Sequence, residues 1–236
     1  MIQEILYLNL DRRPDRNEWF LTHMEKAGVP MEIVKRIPAK DWKDYESVSD
    51  TLIQMKNEDG LAQHLFESKP EWLDTYLDSS YRGITAYIWT MSKALKRIIE
   101  SKKYTLVMHD DCSVRLWDDL IFALNYVKDV SHYIIQLSYD FPPEIQRNPV
   151  LPYNHIWNYG IQSFREEAIT YKFIGACRML ALIQGTHERP RTIEDVLLEH
   201  FNNQFCFHPV NPNRFIKTKG DHNPRDIFSD DMTTGQ

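Results

Sequence analysis

The 236-residue chain is 42% hydrophobic and 26% charged and carries a formal net charge of −6, the composition of a soluble globular protein large enough for one sizeable domain. Eight glycines and twelve prolines are too few for a low-complexity or collagen-like chain, and no apolar run approaches the ~20 residues of a membrane-spanning helix. The net acidity argues against a general nucleic-acid surface, because phosphate contacts need a concentrated excess of Lys and Arg. Cys112, Cys177 and Cys206 are odd in number and widely spaced, which suits buried, reduced thiols rather than a disulfide framework or a zinc knuckle. The opening MIQEILYLNLDRR has an acid inside its apolar stretch and basic residues after it. That is the reverse of a secretory signal, so a cytoplasmic protein is expected.

In chain order, Glu4 to Leu10 reads as a first buried strand, and the helix that follows opens with Pro14 and stops at Gly28. MEIVKRI repeats the strand signal, and Pro38 is expected to end it. Residues Asp41 to Leu77 are polar, broken by Gly60 and Pro70, and read as short helices. From Gly83 to Ile99 a stripe of Ile84, Tyr87, Ile88, Met91, Leu95, Ile98 and Ile99 predicts a long amphipathic helix. Thr105 to Met108 is a short buried strand, WDDLIFALNYVKDV a helix and HYIIQLSYD a further strand. Such alternation builds a mostly parallel sheet covered by helices on both faces, so the fold class is α/β.

Residues Phe141 to Gln162 combine Pro142, Pro143, Pro149 and Pro152 with Tyr153, Trp157 and Tyr159. They read as a substrate-side loop or hairpin whose rings either face a ligand or anchor the loop to the core. AITYKFIGACRMLAL is expected as two strand-like runs around Gly175, IEDVLLEHF as a helix of about two turns, and FCFHPV as the last strand. The polar stretch from Asn211 on is expected to be mobile without a ligand or docking surface. No internal repeat or domain boundary emerges. The chain therefore divides into one domain over residues 1–210, with a helical insertion at about 42–82, and a polar tail over 211–236.

The most informative spot is His109-Asp110-Asp111, directly after an apolar strand. Ligands of open α/β sheets sit beyond the carboxyl ends of strands. Two adjacent acids repel each other, and a divalent cation shared with a diphosphate relieves that repulsion; the plainer alternative is that one of them caps the next turn. In LNLDRRPDR, Asn9 ends a strand and Arg12, Arg13 and Arg16 follow on the turn and first helical turn, where guanidinium groups and free N–H groups suit a diphosphate. Asp11 and Asp15 in the same run offer them local ion pairs instead. Glu194 and Asp195 open a helix, favourable at its positive end, and one of them is also a candidate general base. The nine histidines are poorly spaced for zinc, although His208 and His222 remain candidate extra ligands. No Gly-rich dinucleotide motif, Walker loop, nucleophile elbow or HExxH occurs.

Taken in order, LNLDRRPDR, RIPAKD, a Gly-initiated helix, LVMHDD and IEDVLL resemble glycosyltransferase family 25, which includes lipopolysaccharide-type and collagen galactosyltransferases. The resemblance implies a single GT-A-like (Rossmann-like) domain with a mostly parallel central sheet flanked by helices. It also implies inverting, metal-dependent transfer of a sugar from a UDP-sugar to a hydroxyl of a glycan, glycolipid or protein acceptor, with Mn²⁺ or Mg²⁺ as the ion. By the same match Asp111, with His109 and Asp110 beside it, falls on the metal and donor side. Asn9, Arg12 and Arg16 fall at the nucleotide, Ala39 and Asp41 near its base or ribose, and Glu194 or Asp195 on the acceptor side. Gly220, Asp221, Ser229 and Asp230 resemble the family's closing segment. His109 stands where the family has Glu, and imidazole is a softer ligand than carboxylate; Thr90-Met91 replaces a Ser-His pair. The competing readings are a metal-dependent nucleotidyltransferase and a sugar- or nucleotide-binding module without turnover; neither a nucleic-acid partner nor a transmembrane segment is expected.

Overall fold

The computed structural model describes residues 1–44, 54, 79–138, 151–161, 167–183, 196–197, 200–201, 205–211 and 214–218. Strand β1 (Glu4–Leu10) leads into helix α1 (Pro14–Lys26), a single turn of 3-10 helix (Met31–Ile33) and strand β2 (Val34–Ala39). Helix α2 (Ser79–Ser101) then returns the chain to β3 (Thr105–His109), followed by the short β4 (Cys112–Val114) and α3 (Trp117–Leu124). Beyond these lie β5 (Ile134–Gln136), the hairpin β6 (Leu151–Pro152) and β7 (Trp157–Tyr159), β8 (Ala168–Tyr171), α4 (Phe173–Ile183), β9 (Cys206–Pro209) and β10 (Ile216–Thr218).

Among the described residues the central sheet has eight strands in the order β2-β1-β3-β8-β5-β9-β7-β6. β1 pairs in parallel with β2 and β3, as β5 does with β9, whereas β8 runs antiparallel between β3 and β5 and β7 antiparallel between β9 and β6. The strands β2, β1, β3, β5, β9 and β6 thus share one direction and β8 and β7 oppose it. The expected α/β class is observed, with a mixed sheet. No helix among the described residues is long and apolar enough to cross a membrane.

Side chains alternate across the sheet with the period of two that a strand imposes. Ile5 and Tyr7 of β1 join Leu106 and Met108 of β3 in a core closed by Phe20 and Met24 of α1 and Leu120 of α3. Leu6, Leu8 and Val107 face the other way, onto Met91, Ala94, Leu95 and Ile98 of α2 and Met179 of α4. The i, i+3, i+4, i+7 spacing of those α2 residues puts them on one stripe, and each fully buried aliphatic side chain contributes roughly 1.5–3 kcal/mol. α1 begins with Pro14 at its first position and is capped by Ala27, after which Gly28 takes a φ of 81°, the left-handed conformation that a glycine adopts freely.

Several borders differ from the sequence expectation for physical reasons. Pro38 lies inside β2 rather than after it, paired in register with Asn9; β2 is an edge strand, where a missing N–H is tolerated. The two strand-like runs around Gly175 are one strand, β8, and one helix, α4. Apolar residues occupy the exposed face of α4 as well, Phe173 and Ile174 among them, so the run shows no clear period that separates helix from strand. The stretch assigned to the tail contributes β10, which pairs antiparallel with β4, and Phe215 beside it is buried and stacks on Trp157. Most of the expected insertion at 42–82, and the tail beyond residue 218, lie outside the described residues.

At the amino ends of β3 and β5 a buried polar chain joins the strands. Tyr104 Oη lies 2.8 Å from Thr170 Oγ1 and 3.4 Å from His132 Nε2, while His132 Nδ1 donates to the Val130 carbonyl at 3.0 Å. Burial, aided by the Lys172 cation, pulls the His132 imidazole down to about 4, and burial alone does the same to His208, whose Nδ1 donates to the Gly160 carbonyl. Both rings are therefore neutral in the fold but take up a proton in the unfolded chain below its ordinary value of 6.5. Where the unfolded state binds more protons, stability rises with pH. The contribution is complete above pH 6.5 and is lost as pH falls towards 4; Asp110, raised to about 6, offsets part of it. Thermal melts across that window are expected to show a falling midpoint on acidification, with a shallower slope in His132→Gln; an unchanged slope would contradict this account of the buried imidazole.

Candidate active site at the carboxyl ends of two central strands

After β1 the chain moves to β2 on one side and then returns to β3 on the other. The strand order reverses there, and the carboxyl ends of β1 and β3 flank the crevice where open α/β sheets hold their ligands. The register Leu8↔His109 sets Asn9 beside Asp110. Asn9 is 1% exposed, and its Nδ2 donates to Asp110 Oδ2 at 2.6 Å and to the Arg13 carbonyl at 3.1 Å. Arg16 NH1 reaches Asp110 Oδ1 from the first turn of α1 at 3.6 Å. Burial is the main cause that pushes the Asp110 carboxyl up to about 6; the Asn9 hydrogen bond opposes it, the neighbouring Asp111 charge adds to it, and Arg16 and Arg13 oppose it.

Asp111 is 5% exposed, and its Oδ1 is buried without a hydrogen-bond partner among the described residues. His109, by contrast, is engaged: its Nε2 lies 2.9 Å from the Tyr87 hydroxyl on α2, and the rings meet edge to face. Burial holds the imidazole below its usual range, Asp111 pulls it back up, and Arg16 lowers it further. Among the described residues no three His, Cys, Asp or Glu side chains converge on a common metal position. The strand end therefore offers one open carboxylate oxygen, a neighbouring carboxylate with partners, and an imidazole whose Nε2 meets a tyrosine.

The arginines divide between the two readings open to them. Arg13 closes a local pair with Asp15 through two 2.9 Å hydrogen bonds, whereas Arg16 turns inward to Asp110. Arg12 Nε donates to Asp41 Oδ2, and Asp41 Oδ1 accepts the Lys43 N–H at 3.1 Å. Two residues predicted on the nucleotide side thus meet each other, next to Ala39 at the end of β2. Thr90 ties α2 to this corner, accepting the Lys40 N–H and donating to the Ala86 carbonyl, both at 2.9 Å.

Four residues that sequence reasoning missed complete the edge. Arg36 of β2 bonds Asn9, and Tyr87 bonds His109. Glu167, 7% exposed at the start of β8, accepts the His109 N–H on its carbonyl and the Ser138 hydroxyl on its carboxylate at 3.1 Å. Only strand order brings these together, and nothing in local composition marks them. Cys112 donates to the Glu167 carbonyl, and burial, with Asp111, Glu167 and Asp110 around it, raises the thiol well above its ordinary range, which disfavours the reactive thiolate.

Other candidates lie elsewhere. His208 is buried against Gly160. Trp157 is fully buried, with its Nε1 donating to the Ala123 carbonyl at 2.9 Å, and Tyr153 and Tyr159 pack on Phe207, so these rings anchor the hairpin to the core. Glu194, Asp195, His222, Gly220, Asp221, Ser229 and Asp230 fall outside the described residues. No known family model matches the chain, and no curated protein matches it.

Proposed function

We propose that this chain is a metal-dependent glycosyltransferase of GT-A-like architecture, similar to family 25, that moves a sugar from a UDP-sugar to a hydroxyl of a glycan, glycolipid or protein acceptor. The observation that carries the reading is Asp111 Oδ1, a buried carboxylate oxygen with no partner among the described residues, at the point where the strand order reverses. Such an oxygen is costly to bury uncompensated. Mg²⁺ and Mn²⁺ are ordinarily held by one or two carboxylates while substrate phosphates and water fill the remaining positions. The donor set suits such an ion: Asp111 would hold it, with Asp110 and His109, whose Nε2 meets the Tyr87 hydroxyl, beside it.

When bound, the ion would offset the negative charge that develops on the leaving diphosphate. Arg16 and the N-terminus of α1, which has no side-chain cap, would bind phosphate oxygens. Arg12, Ala39 and Asp41 at the end of β2 would line the nucleoside. The resemblance puts Glu194 or Asp195 on the acceptor side, where a carboxylate takes the proton of the attacking hydroxyl as the new glycosidic bond forms and the bond to the diphosphate breaks. A binding module without turnover is the second reading, favoured by the engagement of Asp110 by Asn9 and Arg16. Incubation with a panel of UDP-sugars, acceptor glycans and Mn²⁺ separates them. Release of UDP that stops on chelation is expected; Mn²⁺-dependent binding with no release across the panel would replace the transferase by the binding module.

A further inference from the structure

The Asn9 side chain is a primary amide, whose two ends are almost alike in shape and opposite in hydrogen-bonding sense. Its partners decide which end faces which way. On one side Arg36 Nε donates to Asn9 Oδ1 at 2.8 Å, and Arg36 NH2 donates to the Asn9 carbonyl at 3.2 Å and to Asp11 Oδ1 at 2.5 Å. A guanidinium offers only donors, so the amide oxygen must face it. The amide nitrogen is thereby turned to Asp110 Oδ2 at 2.6 Å and to the Arg13 carbonyl at 3.1 Å. Rotated by half a turn, the amide would set oxygen against a carboxylate oxygen and N–H against a guanidinium. The parallel register Tyr7↔Arg36 brings this arginine alongside β1.

We infer that Arg36 is a positioning residue of the site, clamping the Asn9 amide so that Asp110 always meets a donor and Asp111 is left as the open carboxylate of the pair. The consequence for ligand binding rests on the reading of this edge as a diphosphate and divalent-cation site, whereas the clamp itself does not. Partners that orient a group beside a metal change affinity or activity by roughly 10–100-fold when removed.

The test uses the full chain and the variants Arg36→Met, Arg36→Lys and Asn9→Ala. In the ligand-free protein, the Asn9 side-chain amide is expected to give a shifted, slowly exchanging pair of ¹⁵N–¹H signals. These should collapse towards free-amide positions in Arg36→Met and recover in part in Arg36→Lys, which also serves alone if Arg36→Met does not fold. Affinity for UDP with Mn²⁺ should fall by roughly 10-fold or more in Arg36→Met, yet by less than about twofold when the same change is added to Asn9→Ala, because the two residues act as one unit. Unchanged Asn9 signals in the Arg36 variants, or losses that multiply, would overturn the inference. A wild-type protein that binds no UDP with Mn²⁺ while its Asn9 signals still respond to Arg36 would sink the site reading and leave the clamp standing.

Discussion

Asp111→Asn is expected to abolish Mn²⁺-dependent UDP release while leaving the metal-free protein as stable as before or more so. The two halves of this outcome have one cause. Asp111 Oδ1 is buried without a partner among the described residues, so the fold carries the desolvation of a carboxylate oxygen that it leaves unpaired there. Asparagine has nearly the same shape and no charge, and removal of the burden is expected to raise stability by about 1 kcal/mol, or roughly 2–4 °C in the melting midpoint of a chain this long. An amide oxygen is a far weaker ligand for a hard dication. Since partners that only orient a metal ligand cost roughly 10–100-fold when removed, loss of the ligand itself should exceed about 100-fold. Steady-state UDP release and metal-free thermal melts check the pair. A variant that loses both turnover and several degrees of stability would instead mark Asp111 as a structural cap.

Gly175→Ala is expected to have the largest effect on stability. Considered as a helix position alone, the change should help, because alanine exceeds glycine in helix propensity by about 1 kcal/mol. Packing reverses the sign. A Cβ at this position would collide with the Tyr133 carbonyl oxygen and lie 2.8 Å from its carbon and 3.0 Å from Ile134 Cγ2. The obstacle is backbone, and that carbonyl is already held by the Lys172 N–H at 2.9 Å, so it cannot swing aside as a flexible side chain would. Overpacking of this kind costs about 3 kcal/mol, which corresponds to a midpoint lowered by roughly 6–12 °C. A melting midpoint equal to the wild type's would show that α4 can lift off the start of β5.

The parts of the molecule legible in the sequence are those that depend on one strand end at a time. Asn9 and His109-Asp110-Asp111 each terminate an apolar run, and a parallel sheet delivers such ends to one edge, where the structure joins Asn9 to Asp110. Arg16 was legible as a helix-start cation, but its choice of Asp110 over the nearby Asp15 depends on how α1 lies across the sheet. Arg36, Tyr87, Ser138 and Glu167 were not legible. Arg36 reaches the site through strand register, and Glu167 through the insertion of antiparallel β8 beside β3, relations that no local pattern encodes. α4 escapes the pattern for a different reason: apolar Phe173 and Ile174 lie on its exposed face while Ala176, Met179 and Ile183 fill its buried one, so hydrophobic periodicity carries little signal there. β10 was hidden by its polar surroundings, with only Phe215 and Ile216 to mark it.

The central claim is that the open carboxylate of Asp111 holds a dication against a nucleotide's diphosphate, and calorimetric titration of the full chain with UDP tests it most directly. Binding is expected in Mn²⁺, lost on chelation and lost in Asp111→Asn. Equal affinity for UDP with and without the metal, or wild-type affinity in Asp111→Asn, would contradict it.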